Sequence, residues 1–109
     1  MTFERYSLGP VDLQYGGHLP AAEIVYKTHG SLNAARDNAI LFPTWCGGQH
    51  PDVQWIIGPG FALDPSRYFI IVVDMFSNGM SSSPSNTAAP NDRTRFPRVS
   101  FLDNAKLQR

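Results

Sequence analysis

The chain has 109 residues, enough for one small domain or for part of a larger one. Lysine plus arginine number 9 and aspartate plus glutamate also number 9, so no charge excess argues for nucleic-acid binding or for disorder. With 42% hydrophobic residues, one cysteine and no apolar run of membrane-spanning length, the composition predicts a soluble, cytoplasmic α/β-type chain that has no disulfide and no membrane partner.

Two stretches near the start predict antiparallel strands. Residues 6–13 carry spaced apolar side chains interrupted by Gly9 and Pro10, a pattern typical of a bent edge strand. Residues 15–20 are rich in glycine and end in proline, which predicts a turn. Residues 22–29 are rich in β-forming side chains and predict the second strand.

Two apolar runs then predict a parallel βαβ unit. Residues 39–42 form the first, expected to be a buried central strand. Residues 68–74 form the second, which shows no alternation and so predicts a strand covered on both faces. A short helix is expected between them at residues 51–57, with a right-handed crossover. The residues predicted to be core in the complete protein are Ile40, Phe42, Ile70, Ile71 and Val72.

The remaining residues predict a long loop followed by a helix. Residues 75–98 are rich in Ser, Asn, Gly and Pro, which predicts irregular structure. Ser100 and Asp103 form a capping-box pattern that opens a helix, and no stop signal follows before the last residue. We therefore expect residues 1–109 to be the N-terminal portion of a longer domain, and its open strand edge at residues 39–42 predicts poor solubility in isolation.

The loop at residues 43–48 is the predicted ligand site, because ligands of such sheets meet the loops at the carboxyl ends of the strands. A glycine turn there can leave backbone N–H groups unpaired, as an oxyanion hole requires, although the local sequence by itself fits a plain turn better. Cys46 with His50 as its base is a second hypothesis, but a lone cysteine more often acts as a small apolar residue.

The segment from Gly79 to Ser83 nearly matches the nucleophile elbow G-x-S-x-G. Ser83 stands where the second glycine belongs, Pro84 follows, and the preceding strand ends several residues too early. The central Ser81 is therefore rejected as a nucleophile, and the segment is interpreted as a loop.

Two further clusters favour ordinary roles. The three histidines show no metal-ligand spacing, which predicts turn or packing positions and no metal. Three arginines close to one another could meet the phosphate of a coenzyme, but a solvated loop is the better interpretation. The residues concerned are His18, His29 and His50, and Arg93, Arg95 and Arg98.

Four stretches together resemble the homoserine O-acetyltransferase-like branch of the α/β-hydrolase fold. Residues 19–33 are similar to its second strand and its Y-x-T-x-G-x-L-N run, and residues 38–47 to its third strand and oxyanion loop. Residues 55–69 match its G-P-G-x-x-L-D-x-x-R-Y-F segment, and residues 96–103 its entry into the next helix.

The resemblance implies the N-terminal part of a single α/β-hydrolase domain, with antiparallel first strands leading into the parallel unit. It implies a serine-dependent acyltransferase that moves an acyl group from acyl-CoA, as co-substrate and not as a bound cofactor, to the hydroxyl of a small amino acid such as homoserine. The backbone N–H groups of Trp45 and Cys46 would be the oxyanion-hole donors. The nucleophile, acid and histidine would lie beyond Arg109, so these residues alone would be inactive, and a homodimer is possible for the full-length protein.

Two alternatives stay open. The family usually shows a His-Ala-Leu-Thr-Gly type of loop where this chain has Pro43-Thr-Trp-Cys-Gly47. This departure keeps an esterase-type hydrolase of the same fold as the first alternative. A non-catalytic, truncated product is the second.

Overall fold

Four strands form one mixed sheet in the computed structural model, which describes residues 2–109. A 3₁₀ helix connects the third and fourth strands, and a second 3₁₀ helix and one α-helix follow the sheet. The elements are β1 (Glu4–Asp12), β2 (His18–His29), β3 (Ala39–Pro43), the 3₁₀ helix His50–Ile56, β4 (Phe69–Val73), the 3₁₀ helix Arg93–Arg95 and α1 (Phe101–Leu107).

The sheet order is β1-β2-β4-β3. β1 pairs antiparallel with β2, β2 pairs antiparallel with β4, and β3 pairs parallel with β4. The prediction of antiparallel first strands leading into a parallel unit is confirmed. The crossover segment His50–Ile56 is a 3₁₀ helix, closed after two turns by the glycine-proline segment after it.

The first hairpin departs from its prediction at the turn. Residues 18–20 belong to β2 and not to a turn, because His18 and Leu19 pair with the end of β1. The turn itself is shorter, with Leu13 N–H donating to Gly17 O at 2.8 Å. The predicted bend in β1 is confirmed, since the register shifts on either side of Gly9, whose φ is 70°.

The core lies on both faces of the sheet. Ile70 and Val72 are fully buried on one face with Val53 and Leu63, and Val73 is buried on the other face with a group from the hairpin. That group comprises Leu13, Leu19, Ala22, Ile24 and, from the loop after β4, Phe76.

The prediction that residues 39–42 form a central strand is wrong for the described sheet. β3 is an edge strand, its burial alternates along its length, and Leu41 is 47% exposed. Within residues 2–109, Ile70 and Val72 are fully buried, as predicted for the core, whereas Ile40, Phe42 and Ile71 are partly buried. For these three residues, burial in the core of the complete protein stays a prediction. The predicted open edge at β3 is confirmed.

The long loop after β4 packs against the sheet. Two of its serine hydroxyls accept backbone N–H groups of β2. Val25 N–H donates to Ser81 Oγ and Glu23 N–H donates to Ser82 Oγ, both at 2.8 Å. Ser82 N–H returns a hydrogen bond to Glu23 O at 2.9 Å. The loop is therefore ordered by backbone groups that β2 would otherwise leave unpaired.

Helix α1 begins as its sequence predicts. Ser100 Oγ accepts the N–H of Asp103 at 3.1 Å, and Asp103 Oδ2 accepts the N–H of Ser100 at 2.9 Å. This reciprocal capping box satisfies two of the N–H groups at the helix start. Across residues 2–109, no helix is both long enough and apolar enough to cross a bilayer.

Gly30 should be among the least replaceable glycines. Its φ is 80°, and an added Cβ would contact the carbonyl oxygens of Tyr68 and Pro65. We expect Gly30→Ala to destabilise the protein by about 3 kcal/mol, from backbone strain plus steric overlap. Gly16→Ala is the matched control, because φ is 88° there but nothing lies within 4 Å, and should cost about 1 kcal/mol. Urea unfolding measures both, and equal losses would contradict the steric argument.

His29, at the end of β2, should make stability depend on pH. Its buried Nε2 has no hydrogen-bond partner within residues 2–109. Burial first, and then the charges of Lys27 and His50, lower the pKa of His29 from its ordinary value of 6.5. The unfolded chain therefore takes up this proton before the folded chain does, and stability is lost as pH falls below 6.5.

The measurement is the urea midpoint at pH about 7.5 and about 5.5. The wild type should lose more stability between these two values than His29→Gln, which has no proton to take up. An identical pH dependence in the two proteins would contradict the assignment to His29.

Candidate functional site

The carboxyl ends of β3 and β4 lie side by side, because Pro43 pairs with Val73 in the parallel register. The residues directly after the two strands are joined. Thr44 N–H donates to Val73 O at 2.9 Å, and Met75 N–H donates to Thr44 Oγ1 at 3.2 Å. Thr44 is 2% exposed, so its side chain is a buried clamp between the two loops.

Residues 44–48, named the oxyanion loop here after the role that the sequence predicts for them, continue from this clamp as a turn. Gly48 N–H donates to Trp45 O at 3.1 Å and closes the turn. Within residues 2–109, the backbone N–H groups of Trp45, Cys46 and Gly47 donate to no acceptor. Gly48 is buried under the Trp45 indole, and a Cβ at this position would overlap the ring. The glycine therefore allows the indole to close over the turn.

A buried polar cluster holds the far end of the oxyanion loop. Asp74, directly after β4, is fully buried and accepts the backbone N–H of His50 at 2.8 Å. His50 Nδ1 donates to the other carboxylate oxygen at 2.6 Å, and Asn78 Nδ2 donates to Asp74 Oδ1 at 2.9 Å. Asn78 Nδ2 also donates to Gly48 O at 3.0 Å. The carboxylate thus connects the end of β4 with the end of the loop.

A cavity of about 480 Å³ opens beside the oxyanion loop. Cys46 lines it together with residues 75–77 after β4, Tyr15 from the first hairpin and residues from the start of α1. Two polar side chains of α1 fix that wall. Asn104 Oδ1 accepts the N–H of Phe76, and Asp103 Oδ1 accepts the N–H of Gln14, both at 2.9 Å.

The charge on Asp103 is maintained by its donors. Burial by itself raises the pKa of this carboxyl and is the largest single influence. Hydrogen bonds from the backbone of Ser100 and Gln14, the Ser100 hydroxyl and the charge of Lys106 act in the opposite direction, and together they lower the pKa of Asp103 from its ordinary value. The carboxylate therefore stays ionised while it holds the cavity wall.

The candidate site residues lie where the sequence places them. Trp45 is 53% exposed, and Cys46 is exposed and lines the cavity, both on the oxyanion loop between the two strand ends. Their role as oxyanion-hole donors stays a prediction. The pairing of Cys46 with His50 as base does not form within the described residues, because His50 is buried and its Nδ1 is bound to Asp74.

Ser81 has a structural role. It is fully buried, accepts from Val25 N–H and donates to Asp74 O at 2.7 Å, so its hydroxyl is not free for attack. The part of the chain that the structure describes contains no cluster of metal-ligating side chains. The three arginines of the basic cluster, Arg93, Arg95 and Arg98, are exposed.

Sequence reasoning missed the pair of Asp74 and His50. The one available signal was the placement of an acidic residue directly after the most apolar strand, at the edge of the sheet where ligands bind. The histidine lies 24 positions earlier, and only the parallel pairing of the strands brings the two together.

No family model matches the chain. It is 43% identical over 107 residues to the ethyl acetate hydrolase of Pseudomonas veronii and 42% identical over 108 residues to a probable esterase of Corynebacterium glutamicum, with 97% of the chain and 31% of each relative covered. It is 35% identical over 115 residues to the homoserine O-acetyltransferase of Thermobifida fusca, with 91% of the chain and 30% of that protein covered. The chain thus spans about a third of the length of these relatives.

Solved structures confirm the predicted fold, that of the N-terminal part of an α/β-hydrolase fold. An acetylester hydrolase from Corynebacterium glutamicum superposes with a TM-score of 0.93 at 41% identity, covering 98% of the chain and 31% of that structure. The homoserine O-acetyltransferase from Bacillus anthracis superposes with a TM-score of 0.78 at 26% identity, covering 98% and 35%.

The Thr44 clamp predicts a specific loss of stability. Thr44→Val keeps the side-chain shape but leaves the buried N–H of Met75 without an acceptor, which should cost about 1–3 kcal/mol. Thr44→Ser keeps the hydroxyl and is the matched control, with a smaller loss from one missing methyl group. Urea unfolding of both variants measures the difference, and a valine variant as stable as the serine variant would contradict the clamp.

Proposed function

The chain is homologous to the N-terminal third of the esterases and homoserine acyltransferases of the α/β-hydrolase fold, and from this premise we propose that it forms the oxyanion-hole side of a serine-dependent esterase active site. In this proposal the full-length protein supplies the serine nucleophile, its acid and its histidine from outside residues 1–109. Water is the acyl acceptor, and the substrate is a carboxylic ester with a small acyl group.

The observation that carries the proposal is the row of unpaired N–H groups at residues 45–47 beside the cavity that Cys46 lines. When a serine attacks an ester carbonyl, negative charge develops on the carbonyl oxygen. Fixed N–H donors stabilise that charge at little cost, because they do not have to reorganise during the reaction. Both ends of the oxyanion loop are anchored by buried side chains, which supports such preorganisation.

Sequence identity supports proposing hydrolysis ahead of acyl transfer. Identity to the two esterases is 42–43%, against 35% to the homoserine O-acetyltransferase. The loop Pro43-Thr-Trp-Cys-Gly47 also departs from the usual loop of the acetyltransferases.

Acyl transfer from acyl-CoA to the hydroxyl of a small amino acid is the second candidate. Identity of 35% to an enzyme named for that reaction favours it, as do the four stretches that resemble its family. The two candidates share the acyl-enzyme and differ in the acceptor. Product analysis of the full-length protein, given p-nitrophenyl acetate or acetyl-CoA with and without homoserine, separates hydrolysis from transfer.

A proline scan tests the oxyanion donors, because proline removes one N–H group and alanine keeps it. In the full-length protein, Cys46→Pro should lower kcat for p-nitrophenyl acetate by about 100-fold or more, whereas Cys46→Ala should stay near the wild type. Trp45→Pro with Trp45→Ala tests the other donor in the same way.

Circular dichroism and the melting temperature establish that the proline variants fold. Equal kcat values for folded proline and alanine variants at both positions would refute the proposed oxyanion hole. A full-length protein that neither hydrolyses nor transfers acyl groups would favour the non-catalytic alternative.

A further inference from the structure

We propose that Asp74 is a positioning residue of the active site, which fixes the oxyanion loop through His50 and Asn78. This inference rests on the proposed function, since it concerns the geometry of the same N–H donors. Asp74 touches no substrate in this proposal. It acts by holding the residues that come after the donors in the chain.

Hydrogen bonds hold both the backbone and the side chain of Asp74. Its backbone N–H donates to Val25 O at 2.9 Å, and its backbone carbonyl accepts from the Ser81 hydroxyl at 2.7 Å. These bonds fix the main chain at the end of β4. The side chain is 0% exposed, and three N–H donors from His50 and Asn78 satisfy its two oxygens. Burying a carboxylate without such donors costs much free energy. This cost opposes any movement of His50 or Asn78 away from Asp74.

Every residue at the end of the oxyanion loop is tied to this carboxylate or to Asn78. Gly48 O accepts from Asn78 Nδ2 at 3.0 Å, and Gln49 Nε2 donates to Asn78 O at 2.8 Å. His50 donates to Asp74 from both its backbone N–H and its ring. The aromatic ring of Phe3 lies 5.4 Å from the His50 ring and covers the cluster on one side.

The donors therefore lie on a short span with two fixed ends. Thr44 holds the first end against Met75, and the Asp74 cluster holds the second. Only residues 45–47 lie between them, and their N–H groups make no hydrogen bond of their own within residues 2–109. Among the described residues, the turn itself contributes the bond from Gly48 to Trp45 and the packing of the Trp45 indole on Gly48, and the two anchors fix the rest of its geometry.

A purely structural role is the competing explanation, and kinetics separates the two. Loss of a fold-stabilising cluster lowers the melting temperature, whereas misplaced oxyanion donors lower transition-state stabilisation and leave ester binding nearly unchanged. A trifluoromethyl ketone, whose serine adduct carries an oxyanion, reports on the same donors at equilibrium.

The main variant is Asp74→Asn in the full-length protein. It keeps the size of the side chain but turns one acceptor into a donor facing His50. We expect kcat for p-nitrophenyl acetate to fall about 100-fold with KM little changed, and the affinity for the trifluoromethyl ketone to fall by a similar factor. His50→Ala should behave alike, and His50→Asn, which can place an amide donor near the position of Nδ1, should recover part of the loss.

Asp64→Asn is the matched control. Asp64 is also buried, at 8% exposed, and accepts hydrogen bonds from Gly60 N–H, Ser66 N–H and the Ser66 hydroxyl. None of these bonds reaches residues 44–50. This variant should therefore lower the melting temperature while kcat and ketone affinity stay at the wild-type level.

The inference is overturned if a folded Asp74→Asn protein has the kcat and the ketone affinity of Asp64→Asn. Should Asp74→Asn not fold, Asn78→Ala takes its place, because it removes the bonds to Gly48 O and to the carboxylate, together with the bond that Asn78 Oδ1 accepts from Met80 N–H. If Cys46→Pro loses activity and the cluster variants do not, the positioning role alone fails. If Cys46→Pro equals Cys46→Ala, the proposed function fails first.

Discussion

The parallel pairing of β3 with β4 is the constraint on which the site depends. It sets Pro43 opposite Val73, so the chain leaves both strands at the same edge of the sheet. Thr44 and Asp74, the next residues of each strand, are buried there, and each bonds to the segment that leaves the other strand. A shift of one residue in this register would turn the side chains of the shifted strand to the opposite face of the sheet and separate Thr44 and Asp74 from their partners.

Polar side chains in this chain accept backbone N–H groups that regular secondary structure would otherwise pair. The loop after β4 has almost no secondary structure, yet Ser81, Ser82 and Asn104 accept backbone N–H groups from β2 and from the loop itself. Because unpaired backbone groups in a buried setting are costly, these hydroxyls and amides make it possible for an irregular segment to pack against the sheet. As a result, hydrogen bonds join the walls of the cavity beside the oxyanion loop.

The oxyanion loop combines exposure with fixed ends. Trp45 and Cys46 are exposed and their N–H groups are free of acceptors within residues 2–109, as the proposed oxyanion hole requires. Buried hydrogen bonds of Thr44 and Asp74 anchor the loop on both sides, which in the proposed function would orient the donors before the substrate binds. Apolar contacts alone could not orient the loop, because they are not directional. Each hydrogen bond of Thr44 and Asp74 instead fixes the distance and angle between two named atoms.

The sequence by itself determined the local elements whose signals lie within a few residues. Residues 68–74 are apolar enough to predict β4, Ser100 and Asp103 predict the start of α1, and Gly9 predicts the bend in β1, because each depends on propensity or short-range hydrogen bonding. The motifs also placed the oxyanion loop directly after β3.

Only the tertiary structure decided features that join distant segments. The extension of β2 back to His18 required the end of β1 as its partner, and the edge position of β3 followed from the order of the sheet. Asp74 and His50 meet across 24 positions, and Ser81 reaches Val25 across 56. No local pattern encodes such pairs, since their contact depends on how the whole sheet brings the chain together.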